Sequence, residues 1–282
     1  MAVRLIALDI DGTLLDSQWR VPEANRRAIA DAAGRGIEVV LVTGRRFPFA
    51  QPIARDLGVP VTMIASNGAL IRSSNGVTHL RHLFSRATAR KVLEAARAWR
   101  EGTAVIFDRP QREQIILEVA EWTDPHRAGY FSRYRESFGQ AVPLESCLVE
   151  DPIQVFLSGA VEAIRSAERH LRGVPFSAEF ALAATVYEHR DFAMLDILNP
   201  ICSKGAALAE WVSVRGISRH EVLAIGDNYN DLEMLRFAGI PVVMGNGVAE
   251  LKGFGWHETL SNDEGGVAVA ISRFALAEAG CA

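Results

Sequence analysis

The sequence contains little cysteine and no long hydrophobic run. Its three cysteines, Cys147, Cys202 and Cys281, are far apart and form no CxxC pair, which favours idle thiols in a reducing compartment over a disulfide framework. No stretch approaches the ~20 consecutive apolar residues that a membrane-spanning helix needs. The N-terminal MAVRLIALDIDG reaches Asp9 too early for the apolar core of a signal peptide. We therefore expect a cytoplasmic protein with no membrane partner.

Excess positive charge and metal-binding histidine motifs are absent as well. The net charge is −4 and the isoelectric point is near 6.0, which argues against nucleic acid as a partner. The seven histidines form no HxH or HExxH pattern, so a zinc site is not expected. Only three of the 30 basic residues are lysine, which makes each of Lys91, Lys204 and Lys252 worth examining.

Short apolar runs alternate with helical patterns at both ends of the chain. The runs at 3–8, 37–42, 61–65, 222–225 and 241–244 are rich in Val, Ile and Leu and do not alternate with polar residues. Such runs are typical of strands buried on both faces of a parallel sheet. Between the first two lies a helical pattern at 22–36, with Pro22 at its start. This order predicts a doubly wound, Rossmann-like α/β fold.

The middle of the chain departs from that alternation. Helical patterns at 87–100 and 161–172 accompany strand patterns at 102–107 and 154–158, and the α/β alternation resumes only at Ser203. We interpret residues 86–195 as an inserted α+β domain, and residues 1–85 together with 196–282 as the α/β core.

Small polar clusters follow four of the predicted core strands. They are DIDGT at 9–13, TGR at 43–45, SNG at 66–68 and GDNYND at 226–231. The carboxyl ends of parallel strands share one edge of an open sheet, and ligands bind in the crevice there. We therefore expect the four clusters to converge in space.

Asp9 and Asp11 are the chemically most informative pair. Residues i and i+2 of a strand face the same side, so the two carboxylates are crowded. Asp227 and Asp231 add further negative charge, and Mg²⁺ is the hard cation that resolves such a conflict with oxygen ligands. With the metal present, Asp9 can attack phosphorus as a nucleophile. Asp11 can protonate the leaving oxygen and then deprotonate the attacking water.

Other polar residues fit the same chemistry. The Thr43 hydroxyl and the backbone N–H groups around Gly44 can hold phosphate oxygens, although a threonine before a glycine is also typical of an ordinary turn. Lys204 lies in the first turn of a predicted helix capped by Ser203, where a cation opposes the helix dipole. That local conflict indicates a role in neutralising phosphate and keeping Asp9 ionised, whereas the motif on its own is equally typical of a solvated surface lysine.

Three further residues are candidates for binding the substrate, each with a structural alternative. Arg45 can grip an anion, although it is equally suited to solvent. Asn67 precedes Gly68 in an ordinary turn signal. Asn230 forms a plausible helix-capping pair with Glu233.

With these residues in place, the sequence resembles the haloacid dehalogenase superfamily, and in particular its Cof-type branch with a class IIB cap. The matching motifs occur in order, as DIDGT at 9–13, VTGR at 42–45, SKG around Lys204 and GDNYND at 226–231. SNGA at 66–69 and SNDEGGVA at 261–268 also resemble that branch. The chain lacks the lysine-glycine turn of the branch before Lys204, where it reads DILNP at 196–200.

The resemblance implies a magnesium-dependent phosphatase that forms an aspartyl-phosphate on Asp9. It implies that Mg²⁺ is held by Asp9, the backbone carbonyl of Asp11 and Asp227, with Asp231 in support. It also implies that Thr43 and Lys204 bind phosphate, and that the inserted domain is a cap that closes over the site and selects the substrate.

Small phosphomonoesters, with sugar phosphates first among them, are the substrates that this resemblance favours. Aromatic and arginine residues within 121–138 of the cap either line a substrate pocket or pack the small domain, and the oligomeric state is left open. A phosphomutase of the same fold and an inactive ligand-binding protein remain alternatives. Dehalogenation is disfavoured, because a halide leaves without the proton that Asp11 supplies.

Overall fold

The computed structural model describes residues 2–110, 112–118 and 135–277 of the 282-residue chain. Cys281 and most of the aromatic segment 121–138 lie outside these ranges, whereas Cys147 and Cys202 are free thiols. The chain divides into two compact units, one formed by Met1–Arg81 with Cys202–Ala282 and the other by His82–Ile201. None of the described helices combines the length and hydropathy that a membrane span requires.

Both units contain strands and α-helices. The strands are β1 (Leu5–Leu8), β2 (Glu38–Val42), β3 (Val61–Ala65), β4 (Leu70–Ser73), β5 (Thr78–Arg81), β6 (Thr103–Ile106), β7 (Ile115–Leu117), β8 (Phe138–Gln140), β9 (Gln154–Gly159), β10 (Ala181–Tyr187), β11 (Phe192–Leu198), β12 (Val222–Gly226), β13 (Ile240–Val243) and β14 (His257–Glu258). The α-helices are α1 (Glu23–Gly34), α2 (Phe47–Asp56), α3 (Arg86–Ala95), α4 (Val161–Arg172), α5 (Lys204–Val214), α6 (Leu232–Phe237), α7 (Ala249–Lys252) and α8 (Gly266–Ile271).

The first unit is built on an eight-stranded sheet in the order β14-β13-β12-β1-β2-β3-β4-β5. The strands from β14 to β3 are parallel, and β4 and β5 are antiparallel additions at one edge. In the register of the central strands, Ala7 of β1 lies between Ala224 of β12 and Val40 of β2. The predicted doubly wound α/β core is therefore confirmed.

Helices cover both faces of this sheet, and β1 shows why. Successive side chains of a strand point to opposite faces. Ile6 and Leu8 pack in a cluster with residues of α1, α2 and α8, whereas Leu5 and Ala7 pack in a second cluster with residues of α5, α6 and α7. Burial of each large apolar side chain contributes about 1.5–3 kcal/mol. All four residues of β1 are apolar, so the first polar side chain along this strand is that of Asp9, just beyond its end.

The second unit is an α+β structure with its own core. Its six strands lie in the order β10-β11-β9-β6-β7-β8, and only the β7–β8 pair is parallel. Val92 of α3 and Ile164 of α4 pack against Val155 and Leu195 of the sheet. Ile197 of β11 pairs with Val155, so this strand extends the second unit beyond residue 195, where the sequence placed the boundary.

Three of the observed helices can be compared with the bounds predicted from the sequence. The helix predicted at 161–172 is observed at Val161–Arg172, and the one predicted at 22–36 is observed at Glu23–Gly34 with Pro22 at its N-cap. The helix predicted at 87–100 is wrong at its end. It stops at Ala95, and a 3₁₀ segment follows at Arg97–Gly102 with non-helical backbone angles at Trp99.

Candidate active site

The polar clusters lie where the central strands end. The Asp9 N–H donates to the Ile225 carbonyl at 3.0 Å and the Thr43 N–H donates to the Ile64 carbonyl at 2.8 Å, so each residue extends the sheet by one position beyond β1 and β2. Asp227 directly follows β12 and is also buried. Sequence order on parallel strands thus places these side chains at one edge of the sheet.

Lys204 lies at the centre of the buried charges. Its Nζ donates to Oδ1 of Asp9 at 2.6 Å and to Oδ1 of Asp231 at 2.6 Å, and its side chain is 1% exposed. The lysine begins α5, whose N-cap is Ser203 as predicted, because the Ser203 hydroxyl accepts from the Ala206 N–H at 3.0 Å.

Asp231 shapes the loop that holds Asp227. Its Oδ2 accepts from the backbone N–H groups of Asp227 and Asn228, each at 3.0 Å. Asn228 and Asp231 form a capping box around the turn Tyr229–Asp231. With Oδ1 bound to Lys204, both oxygens of Asp231 accept hydrogen bonds from the protein, so Asp231 connects Lys204 to the backbone of the Asp227 loop.

The predicted capping pair of Asn230 and Glu233 is wrong. The 3₁₀ turn Tyr229–Asp231 precedes α6, so the cap lies two residues earlier, at Asn228. Asn230 therefore does not cap the helix, and its Nδ2 instead donates to Oδ1 of Asn67 at 3.0 Å.

Asn67 is fully buried. It lies in a turn with unusual backbone angles and contacts both the loop of Thr43 and the loop of Asn230. Ser66, Asn67 and Gly68 all have positive φ, at 49°, 48° and 99°. The Asn67 N–H donates to the Thr43 carbonyl at 3.0 Å, and a Cβ on Gly44 would lie 3.2 Å from its side-chain amide. The structure therefore places Asn67 against the backbone of Thr43 and Gly44, with its side chain hydrogen-bonded to Asn230.

Two carboxylate oxygens are left to hold a cation. Ligand atoms of Asp9, Asp227 and Asp231 lie within 4.8 Å of one another. Oδ1 of Asp227 accepts from the Thr13 hydroxyl at 3.1 Å, and Oδ1 of Asp9 accepts from Lys204. Within the described ranges no hydrogen-bond donor reaches the second oxygen of Asp9 or of Asp227. These two oxygens suit a small dication, which commonly takes one or two carboxylates in proteins.

The electrostatics of the cluster favour the same conclusion. Burial raises the pKa of Asp9 from 3.8 to about 7, against the lowering effect of Lys204. Burial also raises the pKa of Asp227 well above its usual range, and the charge on Asp9 adds to the effect. The pKa of Lys204 is raised, because attraction to Asp231 and Asp9 outweighs burial. Three carboxylates surround one ammonium, and a cation would relieve the excess negative charge.

The Asp11 side chain has a different partner. Its Oδ2 accepts from Nε of Arg45 at 2.7 Å and its Oδ1 accepts from Nη2 at 2.5 Å. Arg45 was predicted to bind substrate, and in the structure its guanidinium binds the second aspartate of the DIDGT motif. The Arg45 N–H also donates to Oγ1 of Thr43 at 3.0 Å.

Sequence reasoning missed three residues at this site. Thr13 binds Asp227, and its place within the DIDGT cluster was a usable signal. Gly12 has φ +82°, and a Cβ there would lie 2.4 Å from Oδ2 of Asp227. Trp19 is 54% exposed, with the Arg45 guanidinium 5.5 Å from its ring centroid. No sequence pattern indicates that contact, because Trp19 has φ +61° and bulky residues rarely adopt positive φ.

Comparison with known proteins identifies relatives over nearly the whole chain. Residues 6–271 match the sequence profile of the haloacid dehalogenase-like hydrolases. Phosphatase YwpJ of Bacillus subtilis is 28% identical, with 94% of this chain and 98% of that protein covered. The 5-amino-6-(5-phospho-D-ribitylamino)uracil phosphatase YwtE of the same organism is 27% identical, with 96% of this chain and 98% of that protein covered.

Solved structures agree with the sequence comparison. A haloacid dehalogenase-like hydrolase from B. subtilis superposes with a TM-score of 0.80 at 25% identity, and the match covers 96% of this chain and 99% of that one. The chain therefore belongs to the haloacid dehalogenase-like hydrolase family, as its motifs predicted.

Proposed function

We propose that this haloacid dehalogenase-like hydrolase is a magnesium-dependent phosphatase that hydrolyses small phosphomonoesters through an aspartyl-phosphate on Asp9. The main support is the position of Asp9, with one oxygen held by Lys204 and the other without a hydrogen-bond donor among the described residues. A carboxylate held by one oxygen can present the other to phosphorus in a fixed orientation.

In the first half of the reaction, the second oxygen of Asp9 attacks phosphorus and the bond from phosphorus to the leaving oxygen breaks. Asp11, as the acid, gives its proton to that oxygen, so that the product leaves as an alcohol. Lys204 keeps its contact with Asp9 throughout and offsets negative charge in a buried site, where electrostatic interactions are stronger than in water.

In the second half, a water molecule attacks the phosphorus of the aspartyl-phosphate. Asp11, now a carboxylate, takes a proton from that water, and the bond from phosphorus to Asp9 breaks. Inorganic phosphate leaves, the Asp9 carboxylate is restored and Asp11 holds its proton again.

The proposed phosphate contacts come from the loop after β2. Because the Thr43 hydroxyl oxygen accepts from the Arg45 N–H, the hydroxyl hydrogen is available to donate to a phosphate oxygen. The backbone N–H of Gly44 is a second candidate donor. Asn67 and Asn230, which bind each other, would then hold this loop in place behind the phosphate.

The proposed magnesium ligands are Asp9, Asp227 and the backbone carbonyl of Asp11. When bound, the ion neutralises charge on the phosphoryl group and makes phosphorus more electrophilic. Asp231 contributes indirectly, since it holds both the Asp227 backbone and Lys204.

The proposed substrates are small phosphorylated metabolites, with sugar phosphates as the first class to test. The name of YwtE, a relative over 96% of the chain, describes a phosphorylated sugar alcohol joined to a pyrimidine ring. We assign selection among such compounds to the second unit, residues 82–201, because the reacting groups named above all belong to the first.

The test is phosphate release from a panel of phosphorylated metabolites, assayed with Mg²⁺ and with excess chelator. Asp9→Asn provides the inactive variant, and Asp31→Asn, an exposed aspartate on α1, provides the matched control. We expect release by wild type and Asp31→Asn only with Mg²⁺. Absence of release by folded, metal-loaded wild type would contradict the proposal, and interconversion of isomers without net release would indicate a phosphomutase.

A further inference from the structure

The Asp11 carboxylate is tethered by one residue. Both of its oxygens accept from Arg45, through Nε and Nη2, at 2.7 and 2.5 Å. The carboxylate is only partly buried, and within the described ranges no other hydrogen-bond donor reaches it. Two parallel N–H···O bonds fix the plane of a carboxylate as well as its position. The orientation of Asp11 therefore depends on Arg45.

Arg45 is itself held from two sides. Its backbone N–H donates to the Thr43 hydroxyl at 3.0 Å, and its carbonyl accepts from the Ser66 N–H at 2.9 Å. At the other end, the guanidinium lies 5.5 Å from the centroid of the Trp19 ring. A cation over an indole ring is attracted by the negative face of the ring.

Trp19 is in turn fixed by a tight turn. Oδ1 of Asp16 accepts from the N–H groups of Gln18 and Arg20, each at 2.9 Å, and the Trp19 N–H donates to the Asp16 carbonyl at 3.0 Å. Trp19 has φ +61°, a conformation that is uncommon for a large side chain and persists only where its surroundings impose it. The hydrogen bonds of this turn therefore hold Trp19 in an unfavourable backbone conformation, with its indole beside Arg45.

We propose that Arg45 is a positioning residue for proton transfer by Asp11, and that Trp19 fixes Arg45 for this purpose. The inference rests on the proposed phosphatase function. When Asp11 acts as an acid, one of its oxygens carries the proton to the leaving oxygen and is no longer bonded to Arg45. The other oxygen can still accept from Arg45, so Arg45 continues to limit where the carboxyl group can lie while the proton moves. Arg45 itself neither gains nor loses a proton.

A different role for Arg45 is direct attraction of the substrate phosphate, and the two roles predict different kinetics. A phosphate contact would serve every phosphomonoester alike, whatever its leaving group. Positioning of the acid matters only when the leaving oxygen needs a proton, as an alkoxide does and a dinitrophenolate does not. Lysine would preserve the charge but not the fork of two N–H donors.

The experiment compares kcat/KM for two substrates, 2,4-dinitrophenyl phosphate and the alkyl phosphate that wild type hydrolyses fastest. For each substrate, kcat/KM depends only on the steps up to loss of the leaving group. The later hydrolysis of the aspartyl-phosphate therefore does not affect it. For Arg45→Gln and Arg45→Lys we expect kcat/KM to fall about 100-fold on the alkyl phosphate, within the range of general acid catalysis, and by less than about 5-fold on the aryl phosphate. Trp19→Ala should show the same pattern with a smaller loss.

A double-mutant cycle tests the same pairing independently. Once Asp11→Asn has removed the acid, adding Arg45→Gln should cause little further loss on the alkyl phosphate, because coupled residues are not additive. Arg27→Gln, at an exposed arginine of α1 that pairs with Glu23, is the control and should resemble wild type on both substrates.

Equal losses on both substrates, with rescue by lysine and full additivity with Asp11→Asn, would overturn the inference. If Arg45→Gln does not fold, Arg45→Lys and Trp19→Ala provide the same comparison. Failure of wild type to release phosphate from either substrate would instead contradict the phosphatase function, so the two failures are distinguishable.

Discussion

Nζ of Lys204 lies 2.6 Å from Oδ1 of Asp9, although the two residues are 195 positions apart in the chain. The same ammonium also binds Asp231 at 2.6 Å, and Asp227 lies close by. One buried ammonium thus lies among three buried carboxylates and binds two of them. The remaining negative charge would be relieved by a metal ion at this cluster, as proposed above.

Replacing Lys204 with methionine removes the single positive charge from this cluster. Removal of one partner from a buried ion pair typically costs about 3–5 kcal/mol, because the other charge stays buried without compensation. We expect Lys204→Met to lower the free energy of unfolding by about that amount at neutral pH, as measured by urea denaturation, and to abolish turnover. Lys91→Met is the control, since Lys91 is half-exposed in its pair with Glu179 and such pairs contribute about 0–1 kcal/mol. A similar small loss for both variants would contradict this reading.

The raised pKa of Asp9 predicts how stability depends on pH in metal-free protein. Between pH 3.8 and about 7 the native carboxyl holds a proton that the unfolded chain has released. The Asp9 contribution to stability is therefore fully present below that window and is lost as the pH rises through it. The slope is at most about 1.4 kcal/mol per pH unit.

This prediction is checked by denaturation of wild type and Asp9→Asn in chelator over the same pH range. We expect wild type to lose stability relative to Asp9→Asn as the pH rises, and saturating Mg²⁺ to reduce that loss, because metal and proton compete for the carboxylate. A difference between the two proteins that does not change with pH would be inconsistent with the raised pKa.

Alanine substitutions at Gly12 and Gly76 distinguish the effect of backbone strain from the effect of displacing the Asp227 carboxylate. A Cβ at Gly12 would lie 2.4 Å from Oδ2 of Asp227, whereas a Cβ at Gly76 would meet no atom within 4 Å. Both glycines have positive φ, at 82° and 96°, so each change to alanine should cost about 1 kcal/mol of stability. Only Gly12→Ala should also weaken magnesium binding, as measured by calorimetric titration. Equal magnesium affinity in the two variants would show that Oδ2 of Asp227 is not needed for the metal.

Asp227→Asn tests the metal site directly. The amide keeps the shape of the side chain but removes a negative charge from the pair of oxygens assigned to Mg²⁺. We expect magnesium affinity to fall at least about 10-fold, with activity partly restored at high Mg²⁺ concentration. Asp31→Asn again provides the control. Unchanged magnesium affinity in Asp227→Asn would remove this residue from the ligand set.

The sequence was informative about the sheet because its central strands are buried on both faces. Continuous apolar runs identified β1, β2, β3 and β12 to within two residues at each end, and parallel topology then placed the clusters that follow them at one edge. Long-range proximity of Asp9 and Asp227 could thus be inferred without any local contact between them.

Side-chain pairing within that edge could not be inferred in the same way. The orientation of Arg45 depends on the Trp19 turn, and the role of Asn230 depends on where the turn before α6 begins. Both are decided by a few backbone angles, including the positive φ of Trp19 and Asn67. Such angles reflect tertiary packing more than the local residue pattern.

The central claim is that the phosphoryl group passes through Asp9, and the most direct test is to trap it there. Wild type mixed with Mg²⁺ and its best substrate from the panel would be quenched in acid within one turnover, reduced with borohydride and analysed by peptide mass spectrometry. We predict conversion of Asp9 to homoserine, the product of reducing an aspartyl-phosphate, and no conversion in Lys204→Met or without substrate. Release of phosphate during that turnover with Asp9 unmodified and another residue labelled would contradict the mechanism.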